Sequence, residues 1–321
     1  MTNQKLKIWS NVNYPEATLT ILSEGVKDHQ LIHSSGQNNE QSDSILGEVE
    51  IAFGQPKAEI VRDSAKLQWI HLDSAGYERY DTLELRDSLR SRGAVLTNSS
   101  SVYNEPCAQH LMAMILGLAR RLPHALVTQR RDQSWPMMDI RAESYLLNGQ
   151  TALLLGFGAI ARRLAELLEP FQMTLIAFRR QKSGGEQIQV ISEDELNRFL
   201  SLADHVICTL PANPSTRNFL NAERFGLMKR GAIIYNIGRG STVDQTALLS
   251  ALQSSRLGAA YLDVTTPEPL PPTHPLWTAP NCYITPHTAG GHIGERERLV
   301  RHFLDNLERF TQGKELMDRV I

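Results

Sequence analysis

The stretch TALLLGFGAIARRLAELL, Thr151–Leu168, decides the fold. It sets Gly156, Gly158 and Ala161 between an apolar strand and a helix, giving G-x-G-x-x-A. The first glycine allows a tight turn, the second lets backbone amides approach a pyrophosphate, and a small third residue lets helix and strand pack closely. The backbone of Gly156, Phe157, Gly158, Ala159 and Ile160 is therefore the expected dinucleotide cradle. A strand-to-helix turn without a ligand is the plainer alternative.

On both sides of this turn, short β-rich runs alternate with helical stretches, the pattern of parallel sheets covered by helices. The expected class is α/β, with two Rossmann-like, doubly wound domains and a cleft between them. Strands are expected at Lys5–Ser10, Glu48–Gly54, Gln68–Asp73 and Ala94–Asn98, then at Thr151–Leu155, Thr174–Phe178, His205–Leu210, Ala232–Asn236, Ala259–Val264 and Cys282–Thr285. A long helix is expected over Val102–Leu122 with Pro106 in its first turn, and a last amphipathic helix over Gly294–Thr311. The first domain is expected to be discontinuous, residues 1–98 plus 289–321, around a dinucleotide-binding domain at 99–288.

The second strand after the glycine turn continues as LIAFRRQKSGG, residues 175–185. An acid at this strand end would bind the ribose 2′-hydroxyl of NAD(H). Arg179 and Arg180 stand there instead, and a guanidinium pairs with a 2′-phosphate. The cofactor expected is NADP(H), with NAD(H) possible; ordinary solvated arginines at a strand end are the alternative.

Composition narrows the partners. Of 321 residues, 33 are basic and 35 acidic, a formal charge of −2, so the broad positive field that nucleic acid or anionic lipid would need is missing. No apolar run approaches the length of a bilayer span, and the start MTNQKLKIWS has no apolar leader core, so a cytoplasmic protein with no membrane partner is expected. Cys107, Cys208 and Cys282 are too far apart for a disulfide framework or a metal site and read as buried thiols. A small molecule is the expected partner.

Three further segments stand at or beyond strand ends: NIGRG, DVTTPEP and ITPHTAGG. With LDSAGYERYD, TNSSSVYNEPCAQHLMAMILGLARRLP, GAIIYNIGRGSTVD and PEPLPPTHPLW, they run in an order that resembles the D-isomer-specific 2-hydroxyacid dehydrogenases over nearly the whole chain. The resemblance implies that Arg239 binds the substrate, His287 is the proton donor and Glu268 orients and charges the imidazole. It also implies that Asp263 lies near the nicotinamide carboxamide, that Pro211 and Thr216 lie along the adenosine side, and that the backbone of Ala75 and Gly76 meets the substrate carboxylate; capping or turn roles are the alternative for the first three and a plain turn for the last two. Leu210, Ile237, Gly238 and Gly290 complete the expected cofactor set, and no metal is expected. The chemistry agrees: reducing a 2-oxo acid needs a cation on the carboxylate, an acid for the developing alkoxide and a fixed hydride donor.

The implied reaction is hydride transfer to a small 2-oxo acid such as glyoxylate or hydroxypyruvate, giving a D-2-hydroxy acid in a site that closes over both ligands. A homodimer is expected through the long helix. Tyr77 and Trp277 are bulkier than expected and are read as limits on substrate size. The rival readings are an NAD-linked phosphoglycerate-type dehydrogenase and a dinucleotide-sensing binding protein. Arg179 and Arg180 argue against the first, and the joint presence of Arg239, Glu268 and His287 against the second. A formate dehydrogenase would be expected to carry glutamine at Glu268.

Overall fold

The computed structural model describes residues 5–34, 44–180, 184 and 188–321. The chain divides into two compact units, Met1–Tyr103 with His292–Ile321, and Asn104–Gly291. The boundaries thus fall a few residues beyond the expected 98 and 288, the first of them inside the long helix.

The first unit is built on a parallel sheet of β1 (Lys7–Ser10), β2 (Gln30–His33), β3 (Ile51–Gly54), β4 (Trp69–Leu72) and β5 (Val95–Thr97), in the order β2-β1-β3-β4-β5. Registers Ile8↔Ile51, Ile51↔Trp69 and Trp69↔Val95 align one row of side chains across it. Both faces are covered, so β3 and β4 are buried at every position, as parallel sheets require. Trp9, Ile70 and Leu72 pack on one face against helices α2 (Ala58–Asp63) and α3 (Leu83–Ser91), which follow α1 (Glu16–Gly25). On the other, Phe303 of the C-terminal helix Glu295–Thr311 stacks on Phe53 at 4.3 Å and Trp69 at 5.3 Å.

The second unit holds seven parallel strands, β6 (Thr151–Leu155), β7 (Thr174–Phe178), β8 (Gln189–Ile191), β9 (His205–Cys208), β10 (Ile233–Asn236), β11 (Ala259–Leu262) and β12 (Cys282–Ile284), ordered β12-β11-β10-β9-β6-β7-β8. The order reverses between β6 and β9, the kind of switch point where open α/β sheets bind ligands.

Two strands were missed by the pattern: β2 and β8 are short edge strands with polar first residues, so neither shows an apolar run. The long helix α4 is Ser100–Ala119, which puts Pro106 in its second turn rather than its first. Arg121 in the left-handed region (φ 57°) ends the run, and α5 (Leu122–Arg131) and α6 (Met137–Glu143) follow as separate helices. Then come α7 (Ala159–Leu168), α8 (Glu193–Leu200), α9 (Ala222–Leu227) and α10 (Gln245–Gln253).

Candidate active site

At the switch point β6 runs into Gly156, whose φ of +90° lies where a side chain is strained. A Cβ there would also come within 3.0 Å of Thr209 Oγ1. Its amide donates to the Phe178 carbonyl at 3.1 Å, tying the turn to β7. Gly158 is the N-cap of α7, with no side-chain cap and open space where its Cβ would be. By contrast α3, α9 and α10 begin under the side chains of Thr82, Asn221 and Asp244. The first amides of α7, at Ala159 and Ile160, thus face an uncapped, positively polarised helix end that accepts an anionic group. Ala161 is fully buried and Phe157 nearly so, with the Arg162 guanidinium 5.7 Å from the Phe157 ring. These residues fit a dinucleotide pyrophosphate.

At the end of β7, the Arg179 amide donates to Ile191 O at 3.2 Å, and Arg180 is exposed with Nη1 3.4 Å from Ser215 Oγ. Gln181, Lys182 and Ser183, which continue the basic run, lie outside the described residues. Ser215 escaped the sequence reading because only the fold brings the loop after β9 to the end of β7. Asn213 Oδ1 accepts from the Ser215 hydroxyl (2.7 Å) and the Ser215 and Thr216 amides, which shapes the Pro211–Thr216 turn. The buried Thr216 hydroxyl donates to Pro211 O at 2.6 Å and accepts from the Asn213 amide, so it builds this turn. Its side chain is a turn former.

Beyond β10 the chain folds back on the Asn236 side chain, which accepts from the Gly238 amide and donates to Arg239 O. Ile237 is buried, and Gly238 lies against the Leu210 backbone. Gly240 packs so closely on the loop after β11 that a Cβ would lie 1.9 Å from Thr265 O. Half-buried Arg239, between these contacts, donates from Nη1 to Gly238 O at 2.7 Å.

The loop after β11 carries Glu268, whose Oε1 accepts from the Thr265 amide at 2.9 Å while Oε2 lies 2.9 Å from His287 Nδ1. A carboxylate is an acceptor, so Nδ1 carries the hydrogen and Nε2 is left as the working nitrogen. His287 has a φ of +54° and donates its amide to Asp263 O at 2.9 Å. Asp263 itself is buried. Its Oδ1 accepts from Thr285 Oγ1 (2.5 Å) and the Thr288 amide (2.9 Å), and its Oδ2 from the Ala289 amide (3.0 Å). Gly290 follows in the same loop. Burial, with the Asp263 charge adding and Arg239 opposing, pushes the Cys107 thiol up to about 12 and keeps it protonated.

In the first unit, Ala75 and Gly76 follow β4, where three successive carbonyls are engaged: Ser74 O by the Ser99 amide, Ala75 O by Asn98 Nδ2 (2.7 Å) and Gly76 O by Ser74 Oγ (2.7 Å). Gln55 Nε2 braces the loop through Asp73 Oδ1 (2.7 Å) and Ser74 Oγ (3.0 Å). Nothing in the sequence marks Gln55 or Asn98. Tyr77 packs against the core of its unit, and Trp277, an exposed side chain, donates its indole N–H to Pro271 O at 2.9 Å. Among the described residues, no group of three or more His, Cys, Asp or Glu stands where it would hold a metal, and no single helix is long and apolar enough to cross a membrane.

Two parallel-sheet α/β domains, with an uncapped glycine turn at the switch point of the second, are the setting of the comparisons, which show an NAD(P)-dependent oxidoreductase. Residues 112–289 match the D-isomer specific 2-hydroxyacid dehydrogenase, NAD binding domain. The glyoxylate/hydroxypyruvate reductase B of Escherichia coli O6:K15:H31 is 32% identical over 308 residues, 94% of this chain and 93% of that protein. The glyoxylate reductase of Aeropyrum pernix is 34% identical over 243 residues, 73% of this chain and 71% of its own. The solved TT0316 protein of Thermus thermophilus superposes with a TM-score of 0.76 at 30% identity, covering 98% of this chain and all of that one. The chain belongs to the D-isomer specific 2-hydroxyacid dehydrogenase family.

Proposed function

We propose that this enzyme reduces a small 2-oxo acid of the glyoxylate or hydroxypyruvate type to the D-2-hydroxy acid, with NADPH preferred over NADH. The observation that carries the reading is the 2.9 Å contact between His287 Nδ1 and Glu268 Oε2. Glu268 accepts at Nδ1 and fixes the orientation of the ring, and His287 is assigned the transfer of a proton from Nε2 to the oxygen at C2. The planar guanidinium of Arg239 holds the carboxylate and polarises the adjacent carbonyl. Gly156, Gly158 and the first amides of α7 would hold the pyrophosphate of a reduced dinucleotide, whose nicotinamide would supply the hydride. Arg180, with the Ser215 hydroxyl beside it, and Arg179 are assigned the 2′-phosphate.

The enzyme works in the cytoplasm as a homodimer. Much of α4 is buried, whereas α5, α6 and their connection expose Leu122, Leu126, Val127, Trp135, Met137 and Met138, and Trp135 and Met137 also line a hollow of about 480 Å³. We assign that apolar face to a second copy, moving the expected contact from the long helix to its successors.

The test is reduction of hydroxypyruvate with NADPH followed by chiral analysis. The product expected is D-glycerate; L-glycerate or no product overturns the reading.

A further inference from the structure

Asp263 is joined to a chain of groups that the reaction does not touch. Thr285 Oγ1 lies 2.5 Å from Asp263 Oδ1, Tyr261 Oη 2.6 Å from Thr285 Oγ1, and His110 Nε2, on α4, 2.5 Å from Tyr261 Oη. The donor inventory fixes its direction. Thr285 Oγ1 donates to Asp263 Oδ1, so its single proton points to Asp263. The Tyr261 proton must then point to Thr285, because otherwise two bare oxygens would face each other at 2.6 Å. His110 Nε2 therefore carries a hydrogen and donates to Tyr261. Burial and the Asp263 charge hold the Tyr261 phenol above its ordinary range, so it keeps its proton.

We propose that His110, Tyr261 and Thr285 form a one-way hydrogen-bonded brace that positions the loop carrying His287. The brace ends on the carboxylate that also takes the Thr288 and Ala289 amides, the two residues after His287. His287 needs such support, since a non-glycine residue at φ +54° persists only where its surroundings hold it. Bonds aligned head to tail polarise one another, so the last bond, at Asp263, is the strongest. The three are positioning residues: none has a role in the proposed proton transfer, and they act through Asp263.

This inference rests on the proposed role of His287, and the test separates the two. Thr285→Val removes the donor at nearly constant shape, and Thr285→Ser keeps it. With a 2-oxo acid and NADPH, the valine variant should lose about tenfold in kcat, the loss of one hydrogen bond to a charged group, with both KM values within about twofold. The serine variant should stay within about twofold of wild type. Tyr261→Phe leaves the Thr285–Asp263 bond in place and should lose about threefold, which keeps the test open if the valine variant does not fold. A second readout needs no turnover: the His287 imidazole signals in the NMR spectrum of the dinucleotide-free enzyme should shift or broaden in Thr285→Val and stay in place in Thr285→Ser. Unchanged signals in the valine variant, equal losses in valine and serine, or a raised dinucleotide KM at constant kcat would overturn the brace. Wild-type enzyme inactive on every 2-oxo acid, with the NMR contrast intact, would overturn the role of His287 and leave the brace standing.

Discussion

Replacing Arg179 and Arg180 together with alanine asks whether the second strand end reads a phosphate. A hydrogen bond to a charged group contributes about 1.5–3 kcal/mol, more than a neutral pair. Arg180 is exposed and reaches Ser215 Oγ at 3.4 Å, so solvent screens it and the lower part of that range applies. With Arg179 half-buried, the two should contribute about 2–3 kcal/mol toward a 2′-phosphate. That corresponds to about 30- to 150-fold in the KM for NADPH. NADH carries a neutral hydroxyl at the same position, so its KM should move by no more than about twofold. The assay is initial rate at saturating 2-oxo acid with each dinucleotide varied. The wild-type KM for NADPH should also rise with salt toward that of the variant, because exposed charge pairs are screened at high ionic strength. Equal rises in both KM values would show that the arginines act on the adenosine in general.

Three further outcomes follow from the geometry. His287→Asn should lower kcat by about 10²- to 10⁴-fold, while NADPH affinity by fluorescence titration stays within about twofold; a lost affinity with intact kcat would place His287 in cofactor binding. Gly240→Ala should lower stability by about 1–3 kcal/mol in urea unfolding and reduce kcat with it, since the new Cβ meets Thr265 O at 1.9 Å; an unchanged midpoint would contradict that contact. Burial pushes His205 down from 6.5 to about 4, against the nearby Asp204 charge, so the folded state resists its protonation. Its stabilising contribution is present above pH 6.5 and is lost as pH falls toward 4, about 3 kcal/mol over that window. Urea midpoints of wild type and His205→Gln should converge as pH drops from 7 to 4.5, and parallel curves would sink the assignment.

Where chemistry dictates both residue type and spacing, the sequence was readable. Gly156 is needed for a φ of +90°, and Arg239, Glu268 and His287, picked out by their resemblance to the family's motifs, lie in the loops that follow β10, β11 and β12. The strands β6 and β7 were delimited to the residue because both are unbroken apolar runs ending in the turn and in Arg179. Edge strands β2 and β8 had no such run. Groups that act across the fold were invisible for another reason. Ser215 meets Arg180 from 35 positions away, and His110 meets Tyr261 from 151. No local pattern encodes such a meeting.

The most direct measurement is kcat/KM for glyoxylate, hydroxypyruvate, pyruvate and 3-phosphohydroxypyruvate, each with NADPH and with NADH. Glyoxylate and hydroxypyruvate should turn over fastest, with NADPH favoured by more than about tenfold, the contribution of a single charged contact to the 2′-phosphate. No turnover on any of the four would contradict the account and leave a dinucleotide-binding protein without the proposed chemistry.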